Sequence, residues 1–238
     1  MLQQTKAIVI NAIKYGDSSL ICTCYTEKSG IKTYLLKGIL KSKKGKLSKA
    51  LFQPLTQLNL IANHNNKGHL NSLKEAQVIH HYSSLQTDII KQSIGMFISE
   101  ILHSLLREEE ANTGLYQFLE TSLIWLDTHT KVSNFHLLFL LNLTKYLGFY
   151  PDTILETKYF DLAEGKFVRQ PLSNFYIQAP EINYLKTLLG TNFDALPNIV
   201  FNASQRQEIL GVLIQYIGLH LQTFRNPKSL AILHKLFE

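Results

Sequence analysis

Six lysines fall between positions 37 and 49 of the stretch KGILKSKKGKLSKALFQP, with no acidic residue among them. A lysine is a compact charge on a flexible stem, able to hold a phosphate without reading the base attached to it. Polynucleotide backbones are lines of such phosphates, and neutralising them releases condensed counterions. Lys37, Lys41, Lys43, Lys44, Lys46 and Lys49 therefore form a candidate clamp for a nucleic-acid backbone of any sequence. Gly38, Gly45, Ser42 and Ser48 mark the stretch as a loop. Tyr15, Tyr25 and Tyr34 lie on the preceding segments and are candidates for stacking on bases. Each also suits a place in the core or at its rim. The loop charges equally fit a solvated turn, or a contact with protein or anionic membrane.

Other chemistry is missing. GILKSKKGK holds glycine and lysine, but not at phosphate-loop spacing, and no helix signal follows it. There is no H-E-x-x-H. His64, His69, His80 and His81 are the only histidines near enough in sequence to suggest converging ligands, and they read as surface or packing residues. Glu108, Glu109 and Glu110 read as a solvated helix end. Asp17 and Asp161 fall in turns, where aspartate caps backbone amides. No nucleophile, base and orienting group assemble, so the sequence argues against an enzyme and calls for no cofactor.

The elements that carry the loop read as strands. Short apolar or alternating runs cover 7–13, 20–26, 31–36, 55–62 and 70–79, separated by turn residues. In the second, Leu20, Cys22 and Cys24 share one side and Ile21, Thr23 and Tyr25 the other. Five short strands imply a small closed barrel or a sandwich. After His81 the period changes. Ile90, Ile94, Phe97, Ile98, Ile101, Leu102 and Leu105 recur at helical spacing, and a second helix covers 115–125. A third begins near Val132; FHLLFLLNLTKYLGF is apolar around most of its circumference, which places it inside a bundle, and Gly148 and Pro151 end it. KYFDLAEGKFV predicts a small hairpin turning at AEG. Helices follow over 181–189, 204–221 and 227–237, with Ser204 as an N-cap and Pro227 in a first turn. The reading is α+β: a β domain over 1–80, then a helical domain over 81–238 with a small β insertion around 152–180.

Charge is segregated along the chain. Residues 1–80 carry 12 lysines and no arginine against three acidic residues, net +9, while 81–238 are net −3, giving the +6 of the whole. A basic end focuses a field on polyanions. With 238 residues and 45% hydrophobic content, the chain can bury a proper core. No run is long and apolar enough for a membrane span, and MLQQTKAIVI lacks the order of a secretory signal. The two cysteines, Cys22 and Cys24, read as small buried hydrophobes, and the cytoplasm is the expected compartment.

The segment from AIVINAIKYGDSSLICTCYTEKSGIKTYLLKG through the lysine run to Gln53 and Pro54 resembles the opening of the bacterial recombination mediator family RecO. The resemblance is carried by the Tyr15-Gly16-Asp17-Ser18 turn, the Glu27–Gly30 turn and Lys37-Gly38 opening the basic loop. It continues in LLFLLNLTKYLGFYPD, ending L-G-x-x-P at Leu147, Gly148 and Pro151, and in HLQTFRNPKSLAILHKL near the end. It implies an OB-fold barrel followed by a helical bundle. It implies a nucleoid-associated protein that binds single- and double-stranded DNA, anneals complementary strands and performs no hydrolysis. The implied partners are a RecR-like protein, the acidic tail of single-stranded DNA-binding protein (SSB), and indirectly the RecA recombinase.

An acidic tail ending in an aromatic wants a hydrophobic slot rimmed by cations. Arg107, Lys131, Arg206, Arg225, Lys228 and Lys235 are the basic residues on or beside helices, and Arg225, Lys228 and Lys235 on the last two helices are the favoured choice. The chain departs from the family in one respect. Many members carry four cysteines after the L-G-x-x-P segment as a zinc site, and this chain has none there. The expectation is a metal-free version held by Tyr159, Phe160, Leu162, Phe167 and Val168. The rival readings are a protein-interaction scaffold whose basic end touches protein or anionic lipid, and an enzyme assembled from scattered Asp and His.

Overall fold

The computed structural model describes residues 2–41, 47–64, 70–107, 110–152 and 157–237. Five antiparallel strands come first: β1 (Leu2–Tyr15), β2 (Ser19–Thr26), β3 (Gly30–Leu36), β4 (Gln57–Asn63) and β5 (Ser72–His80). Their order in the sheet is β3-β2-β1-β4-β5. The first half of β1 pairs with β4 and its second half with β2, and a bulge between Val9 and Asn11 bends it where the partners change.

Both faces of β1 are buried, which is why AIVI is continuously apolar rather than alternating. Ala7 and Val9 join Leu20, Cys22, Cys24, Leu58 and Leu60 in a core enclosed by the curled sheet. Ile8, Ile10, Tyr25 and Leu55 instead pack on the helices. The two thiols lie side by side, Sγ to Sγ 3.6 Å, free and fully buried.

Among the described residues no sheet closes into a barrel, and no second sheet makes a sandwich of this domain. Among the described residues β3 meets the start of β5 at a parallel bridge between Tyr34 and Asn71, just before β5, where Asn71 N donates to Thr33 O (2.9 Å) and Leu35 N to Asn71 O (3.0 Å). Gly38, at φ +70°, turns the chain just after β3.

The helical part holds α1 (Ile89–Leu105), α2 (Thr113–Thr128), α3 (Phe135–Tyr146), α4 (Glu181–Leu189), α5 (Ala203–His220) and α6 (Leu230–Leu236). The seven residues from Phe135 to Leu141 are all buried, as an apolar circumference requires. Gly148, at φ +86°, ends the segment. Two expected details are corrected. Asn202, not Ser204, caps α5, because its side chain takes the Gln205 amide while Gln205 returns the bond in a capping box. Pro227 precedes α6 rather than entering it, and Leu230 N reaches back to Pro227 O.

A buried carboxylate joins the two parts. Asp127, near the end of α2, accepts from Ser83 N (2.9 Å), Ser84 N (2.8 Å), Leu85 N (2.7 Å) and Ser83 Oγ (3.0 Å), so it grips the segment linking β5 to α1. Lys91 Nζ donates to Asp127 O and Ser84 Oγ, both at 2.6 Å. Burial alone raises the Asp127 carboxyl, but these donors outweigh it and bring it down to about 2.

The insertion is a three-stranded sheet, β6 (Tyr159–Asp161), β7 (Lys166–Val168) and β8 (Tyr176–Ile177), in the order β7-β6-β8. The expected hairpin is β6–β7; β8 is too short to register as a pattern. Phe160, Leu162 and Phe167 are core residues, whereas Tyr159 and Val168 are half-buried, because Tyr159 pairs with Val168 on the opposite face from the Phe160–Phe167 pair. Asp161 is fully buried and accepts from Ala163 N, Glu164 N, Leu172 N, Ser173 N and Ser173 Oγ, all between 2.8 and 3.1 Å. It thus organises the loops of the insertion by hydrogen bonds. Asp161→Ala orphans four amides at an expected local cost of about 3 kcal/mol. Hydrogen exchange at residues 163, 164, 172 and 173 should accelerate roughly a hundredfold; unchanged protection there would remove Asp161 from this role.

Candidate nucleic-acid and partner interface

The two sheet edges leave a groove of about 600 Å³ where they meet. Leu35, Leu36 and Ile39 form one wall and Leu70, Asn71 and Leu73 the other, with Lys37 and Lys74 on the rim. Both lysines are exposed. The chain enters the basic loop under tight control. Gly38 N donates to Ser19 Oγ (3.3 Å) and Leu40 N to Ser18 O (2.9 Å), so Lys37 and Lys41 stand against the β1–β2 turn. Ile39 on one side and Phe52 on the other sink into the sheet core and anchor the loop's two ends. A one-turn helix, Lys49–Phe52, carries exposed Lys49. Lys43, Lys44 and Lys46 lie outside the described residues.

The tyrosines separate. Tyr15 is 55% exposed at the end of β1, paired with Ser19 and thus next to the loop's first residues. Tyr34 is corrected to a core residue. Its ring is 0% exposed, and its hydroxyl lies 2.8 Å from His64 Nε2, whose Nδ1 lies 2.9 Å from Gln3 Oε1. Burial raises that phenol well above its ordinary value, and no face remains for a base. Tyr25 is buried against the helices, with its hydroxyl directed to Asn112 O. Lys74 escaped the sequence reading because it joins Lys37 only through the pairing of β3 with β5; its lysine in an otherwise alternating strand was the available signal.

On the helical side, a second groove of about 900 Å³ runs between α1 and the segment before α6. Arg107, His103, Phe224, Arg225 and Lys228 line it. Arg225 N donates to Ser104 Oγ (3.1 Å), and Glu100 accepts from Ser229 N and Oγ (3.0 Å each), which fixes that segment on α1. Partial burial and the neighbouring Arg107 lower His103. Lys235 is exposed in the last turn of α6 and does not line this groove. Arg206 lies over the Phe237 ring and donates to Phe201 O, which ties it to packing.

Among the described residues, no three His, Cys, Asp or Glu are placed to hold a metal. His64 is taken up by Tyr34 and Gln3, His80 lies 4.0 Å from Asp127, and His69 is outside the described residues. Among the described residues, no helix is long and apolar enough to cross a membrane.

A lysine-bearing sheet domain seated on a helical body has the make-up of a polyanion-binding protein. Comparison with known proteins narrows that class. Family models described as "Recombination protein O N terminal" and "Recombination protein O C terminal" match residues 1–82 and 86–231. The chain is similar to the DNA repair protein RecO of Christiangramia forsetii, 47% identical over 238 residues and all of both chains. It is 44% identical to that of Flavobacterium psychrophilum over 98% of each, and 37% identical to that of Bacteroides fragilis over all of both. The chain belongs to the RecO family of DNA repair proteins, and it lacks a zinc-binding cysteine cluster, since its only cysteines are the two in β2.

Proposed function

We propose that the protein is a non-enzymatic recombination mediator. In this reading it binds single- and double-stranded DNA, promotes annealing and assists RecA loading onto SSB-coated strands in the cytoplasm. The observation that carries this is the lysine concentration at the sheet seam, on the one part of the chain with strong positive charge, in a member of the RecO family. Residues 1–80 act as the DNA-binding unit, an OB-type barrel whose last seam is left open as a groove, and 81–238 as the partner-binding unit.

Annealing follows from electrostatics. Two complementary strands repel, and a surface that neutralises phosphate lowers that barrier and raises local concentration. Pairing requires exposed bases, which favours backbone contacts through Lys37, Lys41, Lys43, Lys44, Lys46 and Lys49, joined by Lys74, over deep stacking. Tyr15, at the edge of this surface, is placed to touch a base without sequestering it. The core position of Tyr34 removes it from this set.

The groove with Arg107, Arg225, Lys228 and Phe224 suits the acidic, aromatic-ended SSB tail, since it offers cations around an aromatic wall. Lys235 then contributes only at long range, and a RecR-like partner binds elsewhere. Arg225→Glu with Lys228→Glu should weaken a tail peptide at least tenfold by fluorescence anisotropy and abolish annealing of SSB-coated strands, while annealing of naked strands persists. Equal tail affinity in the variant would exclude this groove. The scaffold reading differs in predicting DNA binding that is weak and easily outcompeted.

A further inference from the structure

The small sheet of the insertion has an outer face that its own fold covers only in part. Strand register puts Tyr159, Lys166, Val168 and Tyr176 on that face, because Tyr159 pairs with Val168, and Asp161 with both Lys166 and Tyr176. Phe160, Phe167 and Ile177 point the other way and are buried. Lys166 and Tyr176 on this face are open to water, Tyr159 and Val168 are half-buried, and Asp161 is buried. Tyr176 is 43% exposed, Phe175 beside it 45%, and Leu172 68%. Tyr159 and Tyr176 meet edge to face, ring centroids 5.5 Å apart, which fixes their planes nearly perpendicular.

Three large exposed apolar side chains within five residues are more than the scattered surface hydrophobes of a typical protein. Their surroundings are cationic. Lys158, Lys166 and Arg169 are all exposed. Of the two acidic residues between 157 and 177, Asp161 is buried and spent on backbone amides, and only Glu164 faces solvent. Exposed aromatic rings on a face that Lys166 shares, with Lys158 and Arg169 next to its strands in sequence, match one ligand chemistry: unpaired bases that stack, on a backbone whose phosphates the cations neutralise. A duplex keeps its bases stacked internally and offers only its phosphates.

We propose that this face is a second, single-strand-selective nucleic-acid site, in which Phe175, Tyr176 and Tyr159 stack on bases while Lys158, Lys166 and Arg169 hold the phosphates. This deepens the DNA-binding reading above and gives the insertion a task separate from the lysine loop. The loop treats single and double strands alike through charge, whereas the insertion selects unpaired bases.

The full chain carrying Phe175→Ala and Tyr176→Ala is titrated with oligothymidylate and with a blunt duplex at fixed salt. Single-strand affinity should fall about tenfold and duplex affinity stay within twofold. Tyr176→Phe, which keeps the ring, should restore most of the loss when Phe175 is intact. In the parent protein, an oligonucleotide bearing 5-iodouracil should photocrosslink to Phe175, Tyr176 or Tyr159, and this readout does not depend on the variants folding. Unchanged single-strand affinity together with no crosslink in the insertion would overturn the proposal and leave the face to a protein contact. Equal losses on both DNA forms would also overturn it. Variants of the lysine loop are measured alongside. If they bind normally, the loop reading fails while the stacking result still stands or falls alone.

Discussion

Neutralising Lys41, Lys43, Lys44 and Lys46 to glutamine is expected to lower single-strand affinity roughly a hundredfold at about 0.1 M salt. The rate of annealing of naked complementary oligonucleotides should fall with it. The size follows from counterion release, to which each neutralised phosphate contributes separately. Duplex binding should fall in parallel, since the contacts are to backbone and not to bases. The fold should be unaffected: the loop's anchors are Ile39 and Phe52 in the sheet core, and Lys41 is exposed. Thermal melting with the annealing assay separates the two outcomes. A variant that melts normally and anneals at full rate would place annealing on some other surface.

The second large effect concerns the joint between the two parts. Asp127→Ala is expected to destabilise the protein by about 3 kcal/mol and lower the melting temperature by roughly 10 °C. The variant strands the amides of Ser83, Ser84 and Leu85, while the buried Lys91 keeps its bonds to the main-chain oxygen at position 127 and to Ser84 Oγ. The pH dependence has a definite sign. Asp127 is held at about 2 in the folded protein, below the ordinary carboxylate value of 3.8. Its contribution is therefore fully present above about pH 4 and is lost as the pH falls toward 2. Asp161 is also held low by its amide donors and adds acid sensitivity of the same sign. Denaturant melts at pH 7 and pH 3 should show the parent losing stability on acidification and the Asp127→Ala variant losing less. An identical loss in both would mean that Asp127 does not bear this load.

Much of this architecture was legible because it rests on local pattern. The alternation of Leu20, Cys22 and Cys24 against Ile21, Thr23 and Tyr25 is the observed division of β2 between the enclosed core and the outer face. The all-apolar α3 sits at the centre of the bundle for the reason its sequence gives. What escaped depends on partners distant in sequence. Tyr34 looks like any strand tyrosine until the bridge to Asn71 and the His64 contact bury it. Lys74 reaches the basic groove only through the β3–β5 seam. Asp127 carries no motif; its importance comes from three amides some forty residues earlier in the chain. Asn202 displaces Ser204 as a cap because Gln205 completes its capping box, a choice the apolar period alone does not fix.

The central claim is that cations around residues 37–49 neutralise DNA phosphates without regard to base. A salt titration of single-strand binding between roughly 50 and 200 mM measures this most directly, with the parent protein and a variant carrying glutamine at all six loop lysines. The six loop contacts account for about −4 of the parent's log–log slope, and the variant should lose about that much of it. An equal slope and equal affinity for the two proteins would contradict the account.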